Sequence, residues 1–200
     1  MAKKGTIVSS KVAEMAPVAR YDHTNLHTTA FTLYAGPKIN VMRDTFTIKG
    51  ADGQEKQLDT RKTIETLAEI AYETVCAIWP RPFDINYSEI LYTNTGVFAA
   101  GRPGQDFLQM ATFMLELAGK RGIVVSGDKP QMKLPRMGHA TLDRFLTDTP
   151  LTAEFKGFID GVNAQGGLGI SKTSSIDVGR YICTDNKFTL VVNESFTYKR

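Results

Sequence analysis

The sequence has few of the residues that most often carry metal or redox chemistry. Its 200 residues include 2 cysteines, 3 histidines and 1 tryptophan. Cys76 and Cys183 each lie in an apolar segment, which predicts buried free thiols. A disulfide between them would require the helix around Cys76 to touch the C-terminal strand. His23 and His27 are four residues apart, but no cysteine lies near them to complete a zinc site. We therefore predict no metal and no cofactor.

Sequence motifs of catalysis are also missing. His139 is accompanied by no G-x-S-x-G turn and no reactive-cysteine context. Acid pairs such as Asp143 and Asp148 are ordinary at this density of charge. The prediction is that the protein is not an enzyme, although an enzyme whose site has no recognisable motif stays open as a third alternative.

Long apolar runs are absent as well. No window approaches the roughly 18 to 20 apolar residues that cross a bilayer. The N-terminus carries Lys3 and Lys4, but the stretch that follows is not continuously apolar. The polar residues that interrupt it are Ser9, Ser10, Lys11 and Glu14. We predict no contact with a membrane, no secretion by a signal peptide, and a location in a virion or the cytoplasm.

Neither sign of charge dominates the chain. The 24 lysines and arginines stand against 21 aspartates and glutamates, which gives a net charge of +3. An excess this small does not by itself indicate a nucleic-acid-binding protein. Apolar residues make up 42% and charged residues 22% of the sequence, which is close to globular usage and argues against a disordered chain.

The residue patterns predict an α+β fold of mostly antiparallel sheet with three main helices. Residues 1–27 are predicted to form an extended arm with one short helix after Ser10, and residues 28–200 a single domain. Strands are expected in residues 28–49, in residues 83–100 and from Ile123, and a hairpin around Gly50 and Gly53. A short helical turn is expected in residues 142–146, and a β-hairpin ends the chain.

Three helices are predicted from apolar residues at helical spacing. The first is capped by Asp59 or Thr60 and runs to about Trp79. The second spans residues 105–118, and the third begins at residues 149–150, with a proline at its first position. The residues that the second helix is expected to bury are Phe107, Met110, Ala111, Met114, Leu117 and Ala118.

Two surface features of these helices suggest contacts. Glu65, Glu69 and Glu73 form an acidic row at helical spacing, which is either a solvated face or a contact surface for a basic patch. Gly157 and Gly161 weaken the third helix and leave small patches where another backbone can approach.

The stretch NAQGGLGISKTSS, residues 163–175, departs from the phosphate-binding pattern G-x-x-x-x-G-K-[ST] at one required glycine, which is replaced by Ser171. Such a loop needs a strand before it and a helix after it. Here a helix enters and a strand leaves. We interpret the stretch as a flexible glycine loop, whose N–H groups and Lys172 remain able to touch a phosphate backbone.

The most uneven charge lies between Gly119 and His139. The basic residues there, opposed only by Asp128, are Lys120, Arg121, Lys129, Lys133 and Arg136. Further basic residues lie at the two ends of the chain: Lys3, Lys4, Lys11, Lys199 and Arg200. This is either an ordinary basic surface or a set that contacts phosphates or an acidic neighbour. Because the loop lacks aromatic residues, backbone contact is favoured over base readout.

Taken with the arm and the very apolar second helix, these features favour a self-assembling structural subunit, a virus or phage capsid, nucleocapsid or tail protein. Its predicted partners are copies of itself, bound through the arm with Lys3, Lys4 and Lys11, and nucleic acid or an acidic neighbour at the basic loop and Lys172. The alternative is a soluble nucleic-acid-binding protein. Removing residues 1–20 is expected to abolish assembly and leave the monomer folded.

Overall fold

The computed structural model describes residues 2–21, 27–30, 44–49, 54–78, 82–101, 104–123, 137–146, 151–184 and 187–197. Within these residues, helices α1 to α4 are Ala2–Met15, Thr60–Glu73, Gln105–Lys120 and Ala153–Ala164, and α2 continues into a π-helical turn, Thr74–Ile78. Strands β1 to β10 are Val18–Tyr21, Thr45–Lys49, Glu55–Asp59, Asp84–Tyr87, Glu89–Thr93, Gly96–Gly101, Gly138–Phe145, Gly169–Lys172, Ser175–Thr184 and Lys187–Thr197. The fold is α+β, as predicted.

A six-stranded sheet in the order β5-β6-β7-β1-β10-β9 forms the centre of the fold. Among the described strands, β1 and β10 are the one parallel pair, and β2–β3 and β4–β8 form two-stranded antiparallel sheets. A β-bulge interrupts the pairing of β6 with β7, because Val97 lies opposite Asp143 and Phe98 opposite Thr141. Leu142 is the extra residue, and both Leu142 and Asp143 are fully buried.

Residues 2–21 belong to this sheet and its helical cover, which corrects the predicted arm. In α1, Val8 and Val12 lie four residues apart and are buried, as is Ala16 directly after the helix. The helix begins at Ala2 rather than after Ser10. β1 lies between β7 and β10. Burial of that stripe and pairing on both edges of β1 outweigh the local polar residues that suggested an arm. Deleting residues 1–20 would therefore remove most of an interior strand, and we expect it to unfold the protein.

The helices α2 and α3 confirm the helical spacing read from the sequence. Asp59 caps α2, where its carboxylate accepts a hydrogen bond from the backbone N–H of Lys62 at 2.8 Å. α3 buries the six residues predicted, and it runs two residues further, to Lys120. α4 begins at Ala153, later than predicted, because the Thr152 hydroxyl accepts from the N–H of Phe155 at 3.1 Å and caps the helix there.

The predicted helical turn in residues 142–146 is wrong, because most of this segment belongs to β7. β7 pairs with β6 on one side and with β1 on the other. This long-range pairing overrides the local helical pattern. The C-terminal hairpin, β9–β10, and the hairpin strands β2 and β3 are present as predicted. Other predictions, namely further strands, the turn of the β2–β3 hairpin and the start of the third helix, fall outside the described residues. The ranges concerned are 31–43, 50–53, 124–136 and 147–150.

Two glycines of α4 offer a stability test. Gly157 and Gly161 are exposed, and a Cβ atom at either position would meet no described atom within 4 Å. Because glycine in a helix interior costs about 0.5 to 1 kcal/mol relative to alanine, we expect the double variant Gly157→Ala, Gly161→Ala to gain about 1 to 2 kcal/mol in free energy of unfolding. Urea denaturation measures this gain. An equal or lower stability would contradict it and would favour the predicted approach of another backbone.

Candidate functional site

The acidic row predicted on α2 contacts basic residues of the same chain. Arg121 directly follows α3, and its guanidinium binds the carboxylates of Glu73 at 2.7 Å and Glu69 at 3.2 Å. Glu65 binds Arg61, one turn earlier on α2, at 3.1 Å. The charge of the row is therefore partly neutralised within the chain. Because Glu65 and Glu69 are largely exposed and Glu73 is partly exposed, each ion pair contributes about 0 to 1 kcal/mol to stability.

The other described basic residues of the predicted contact set lie at two separate places. Lys120 is exposed at the end of α3. Two residues later, the carbonyl oxygen of Gly122 accepts a hydrogen bond from the ammonium of Lys56 at 2.8 Å. Cations at this position compensate the negative end of the helix dipole. Lys172 is exposed on β8, directly opposite Asp84 of β4. The predicted residues outside the described part of the chain are Lys129, Lys133, Arg136, Lys199 and Arg200.

The lysines assigned to the arm lie on α1 instead. Lys3 and Lys4 are exposed in the first turn of α1, where the helix dipole disfavours positive charge. Lys11 binds the carboxylate of Glu14 at 2.7 Å, a contact that raises the pKa of its ammonium. A role of these lysines in assembly stays a prediction, now for a helix surface rather than for an extended segment.

A shallow concavity of about 500 Å³ opens beside Arg121. It is lined by Glu69, Tyr72, Glu73, Cys76 and Arg121.

Cys76 is a free, exposed thiol, so the predicted burial is wrong. Because Cys76 is four residues after the exposed Tyr72, it shares the solvent-facing side of the helix. A hydrogen bond between these two side chains raises the pKa of Tyr72. The Tyr72 ring also contacts Phe196 of β10, with centroids 5.9 Å apart, and so joins α2 to the C-terminal hairpin.

The glycine-containing stretch of residues 163–175 is a structural strap rather than a phosphate loop. It runs along residues 83–90, and β8 pairs with β4 over four positions. At one end, the Thr173 hydroxyl accepts from the N–H of Phe83 at 3.0 Å and donates to its carbonyl at 2.9 Å. At the other end, the Asn163 side chain accepts from the N–H of Ile90 at 2.6 Å and donates to its carbonyl at 3.1 Å.

The N–H groups at the turn of this strap are already bonded inside the chain. Those of Gly166 and Gly167 donate to carbonyls at the end of α4, and that of Leu168 donates to the Tyr87 carbonyl at 3.0 Å. Gly166, Gly167 and Gly169 have positive φ angles, which explains why glycine is used there. A phosphate would have to displace these bonds to reach the N–H groups of the turn, whereas the side chain of Lys172 is exposed.

The β9–β10 hairpin extends beyond the rest of the sheet. β10 pairs with β9 at ten positions and with β1 at two, Lys187 and Phe188. α2 packs across one face of the hairpin, where Val178 is buried and Phe196 is half-buried. On the other face, Val192 lies opposite Gly179 and is 37% exposed, and Leu190 is half-buried. Among the described strands, none pairs with β9 on its outer edge or with β10 beyond Phe188.

Asp143 is a buried carboxyl that the sequence reasoning dismissed. Its Oδ1 accepts a hydrogen bond from the Ser9 hydroxyl of α1 at 2.6 Å, and its Oδ2 has no hydrogen-bond partner among the described residues. Burial raises the pKa of Asp143 to about 6, and the Ser9 hydrogen bond and the charge of Arg20 oppose this rise only in part. A prediction of residues 140–145, ATLDRF, as an interior strand would have indicated a buried aspartate at this position.

The histidines show no metal arrangement in the part of the chain that the structure describes. No group of three or more histidine, cysteine, aspartate or glutamate side chains that could hold a metal ion occurs there. His139 is half-buried beside Phe98, and burial lowers its pKa. His23 lies outside the described residues. The helices of the described chain include none that is long and apolar enough to cross a membrane.

Comparison of the chain with protein-family models, with curated proteins and with solved structures found no match.

Proposed function

We propose that the protein is a structural subunit that assembles with copies of itself into a larger particle, of the kind formed by virus or phage capsid, nucleocapsid or tail proteins. The observation that carries the proposal is the β9–β10 hairpin, which has the two longest described strands and pairs with the rest of the sheet at two positions. Unpaired N–H and C=O groups along such strands are a template for pairing with another strand.

The two ends of the sheet differ in a way that supports this surface. At the β5 end, the N–H and the C=O of Ile90 both bind the Asn163 side chain, so that position is closed to another strand. At the hairpin end, the described residues provide no such cap, and Val192 adds exposed apolar area. Because every copy carries the same hairpin, pairing of hairpins gives a self-complementary contact between two copies.

Basic surfaces provide the second part of the proposal. Lys3, Lys4 and Lys120 are exposed, whereas Arg121 is bound to two glutamates. The exposed lysines would contact the phosphate backbone of nucleic acid or an acidic neighbouring surface. Such contacts weaken as the salt concentration rises.

The test is the mass of the protein in solution by light scattering, at low and high salt, with absorbance at 260 and 280 nm. We expect an assembly of defined mass for the wild type. Val192→Lys places a charge on the hairpin surface, and we expect it to yield the 22.1 kDa monomer with an unchanged circular dichroism spectrum. The matched control is Ile170→Lys, an exposed apolar residue on the strand β8, which should leave the assembly intact.

A wild-type monomer at high protein concentration would contradict the proposal. A monomer that carries nucleic acid and releases it at high salt would favour the alternative of a soluble nucleic-acid-binding protein. Equal loss of assembly in both lysine variants would show that the hairpin is not the specific contact.

A further inference from the structure

The N-terminal helix is attached to the sheet through a buried polar contact. Val8 and Val12 of α1 are buried in the core, and between them Ser9 donates its hydroxyl hydrogen to the Oδ1 atom of Asp143 at 2.6 Å. Both Ser9 and Asp143 are fully buried. A carboxyl in such a place is costly to ionise, because the single hydrogen bond that it gains replaces only part of the hydration that it loses.

Among the residues that the structure describes, the groups that face Asp143 come from three elements. From α1 it is the Ser9 hydroxyl, from β6 the apolar Val97 at the bulge, and from β1 its cross-strand neighbour Arg20. Arg20 is exposed, and its guanidinium donates to the Ser10 hydroxyl at 2.9 Å. Its charge lowers the pKa of Asp143, but burial outweighs this and raises the pKa to about 6. The charge of Arg20 therefore offsets only part of the effect of burial on the pKa of Asp143.

We propose that Asp143, buried against Ser9 of α1, is a pH-sensitive latch. α1 stays on the sheet while Asp143 is protonated, and its docking weakens as Asp143 ionises, because the cost of burying the charge exceeds the gain from the Ser9 hydrogen bond. When α1 separates from the sheet, Asp143 becomes hydrated and its carboxyl returns toward the ordinary pKa of 3.8. The docked state therefore binds the proton more tightly than the open state. The latch is at full strength below the ordinary pKa and is weakened as the pH rises through about 6.

Opening of the latch is a movement of α1 away from the sheet. α1 joins β1 through Ala16 and Pro17. Single elements of a fold can open locally with a free energy below that of global unfolding. An open α1 would expose Val8 and Val12, together with the sheet surface that they cover, to a partner. This inference does not depend on the proposed assembly.

Hydrogen exchange with mass spectrometry tests the latch. The readout is the protection factor of α1 amides, corrected for intrinsic exchange, at pH 5 and pH 8, with α4 as the internal reference. We expect the α1 opening constant to rise about tenfold from pH 5 to pH 8. The reason is that pH 5 lies between the pKa of Asp143 in the open state, 3.8, and its pKa in the docked state, about 6, whereas pH 8 lies above both. α4 should show no comparable change.

Variants separate the latch from a general pH effect. Asp143→Asn should abolish the rise in α1 opening, while Glu14→Gln, which removes an exposed carboxylate from α1 itself, should retain it. Ser9→Ala removes the hydrogen bond to the ionised carboxyl, so the rise should become larger. Persistence of the full rise in Asp143→Asn, or equal α1 protection at both pH values in the wild type, would overturn the proposal.

A measurement on the wild type covers the case in which Asp143→Asn fails to fold. Carbon-13 NMR of the side-chain carboxyls follows the titration of Asp143 directly in the intact protein. Titration near pH 6 supports the latch, and titration near the ordinary value of 3.8 overturns it.

Discussion

Gly167→Ala is expected to lower the free energy of unfolding by about 2 to 5 kcal/mol. Gly167 has a φ angle of +61°, and an alanine in this left-handed region costs about 1 to 2 kcal/mol. Its Cβ would also lie 2.7 Å from the carbonyl oxygens of Tyr87 and Ser88. These are backbone atoms, so the clash adds a cost of about 1 to 3 kcal/mol, comparable to overpacking. Relief requires the turn to move away from β4, which breaks the bond from Leu168 to Tyr87.

Gly166→Ala is the matched control for this prediction. Gly166 is the preceding residue and has a φ angle of +80°, but a Cβ there meets no described atom within 4 Å. It should therefore show the cost of about 1 to 2 kcal/mol for the left-handed backbone and nothing more. Urea denaturation of the two variants with equal m values compares them directly. Equal losses of stability would show that the close contact with residues 87 and 88 does not matter.

These glycines illustrate how far the sequence alone could lead. The pattern of residues 166–173 was interpreted as a flexible loop because it lacks a phosphate-loop glycine and leads into a strand. That assignment against a nucleotide site agrees with the bonded N–H groups of the turn. What the sequence did not reveal is the partner, residues 83–90, because contacts between segments about 80 residues apart leave no local signal.

The helices were more predictable than the strands for the same reason. The buried face of α3 follows from the spacing of its own residues, so all six positions were found. β1 and β7 are strands because each pairs on both edges with distant segments, and their local sequences suggested an arm and a helical turn. Asp143 was missed with them, since its burial results from the bulge opposite Val97.

The surface that we propose for assembly differs from the one that the sequence favoured. The sequence favoured the N-terminal arm and the basic loop, whereas the fold packs residues 2–21 into the domain and binds Arg121 to Glu69 and Glu73. The hairpin was predicted, but its projection beyond the sheet depends on the two-position pairing with β1. Sheet edges are a property of the topology, so the choice of hairpin over arm required the three-dimensional arrangement.

Asn163→Asp is expected to lower the free energy of unfolding by about 2 to 4 kcal/mol at pH 8, with a smaller loss at pH 4. The aspartate keeps the acceptor for the N–H of Ile90, but its second oxygen replaces the amide that donates to the Ile90 carbonyl at 3.1 Å. Two oxygen acceptors then face each other, and an unmade bond of this kind costs about 1 to 3 kcal/mol, with more for a charged group. A protonated aspartate can donate to that carbonyl, so its folded pKa should be raised and stability recovered as the pH falls.

Asn163→Ala is the matched control, because it removes both hydrogen bonds and introduces no charge. Relative to the wild type at each pH, its loss should be the same at pH 4 and pH 8, whereas the aspartate variant should be the less stable of the two at pH 8 and the more stable at pH 4. Urea denaturation at both pH values gives the four differences. An aspartate variant as stable as the wild type at pH 8 would contradict the bidentate contact. Asn163→Ala also uncovers the β5 edge at Ile90, so a change of its mass in solution would show whether that cap keeps this end of the sheet from pairing with another copy.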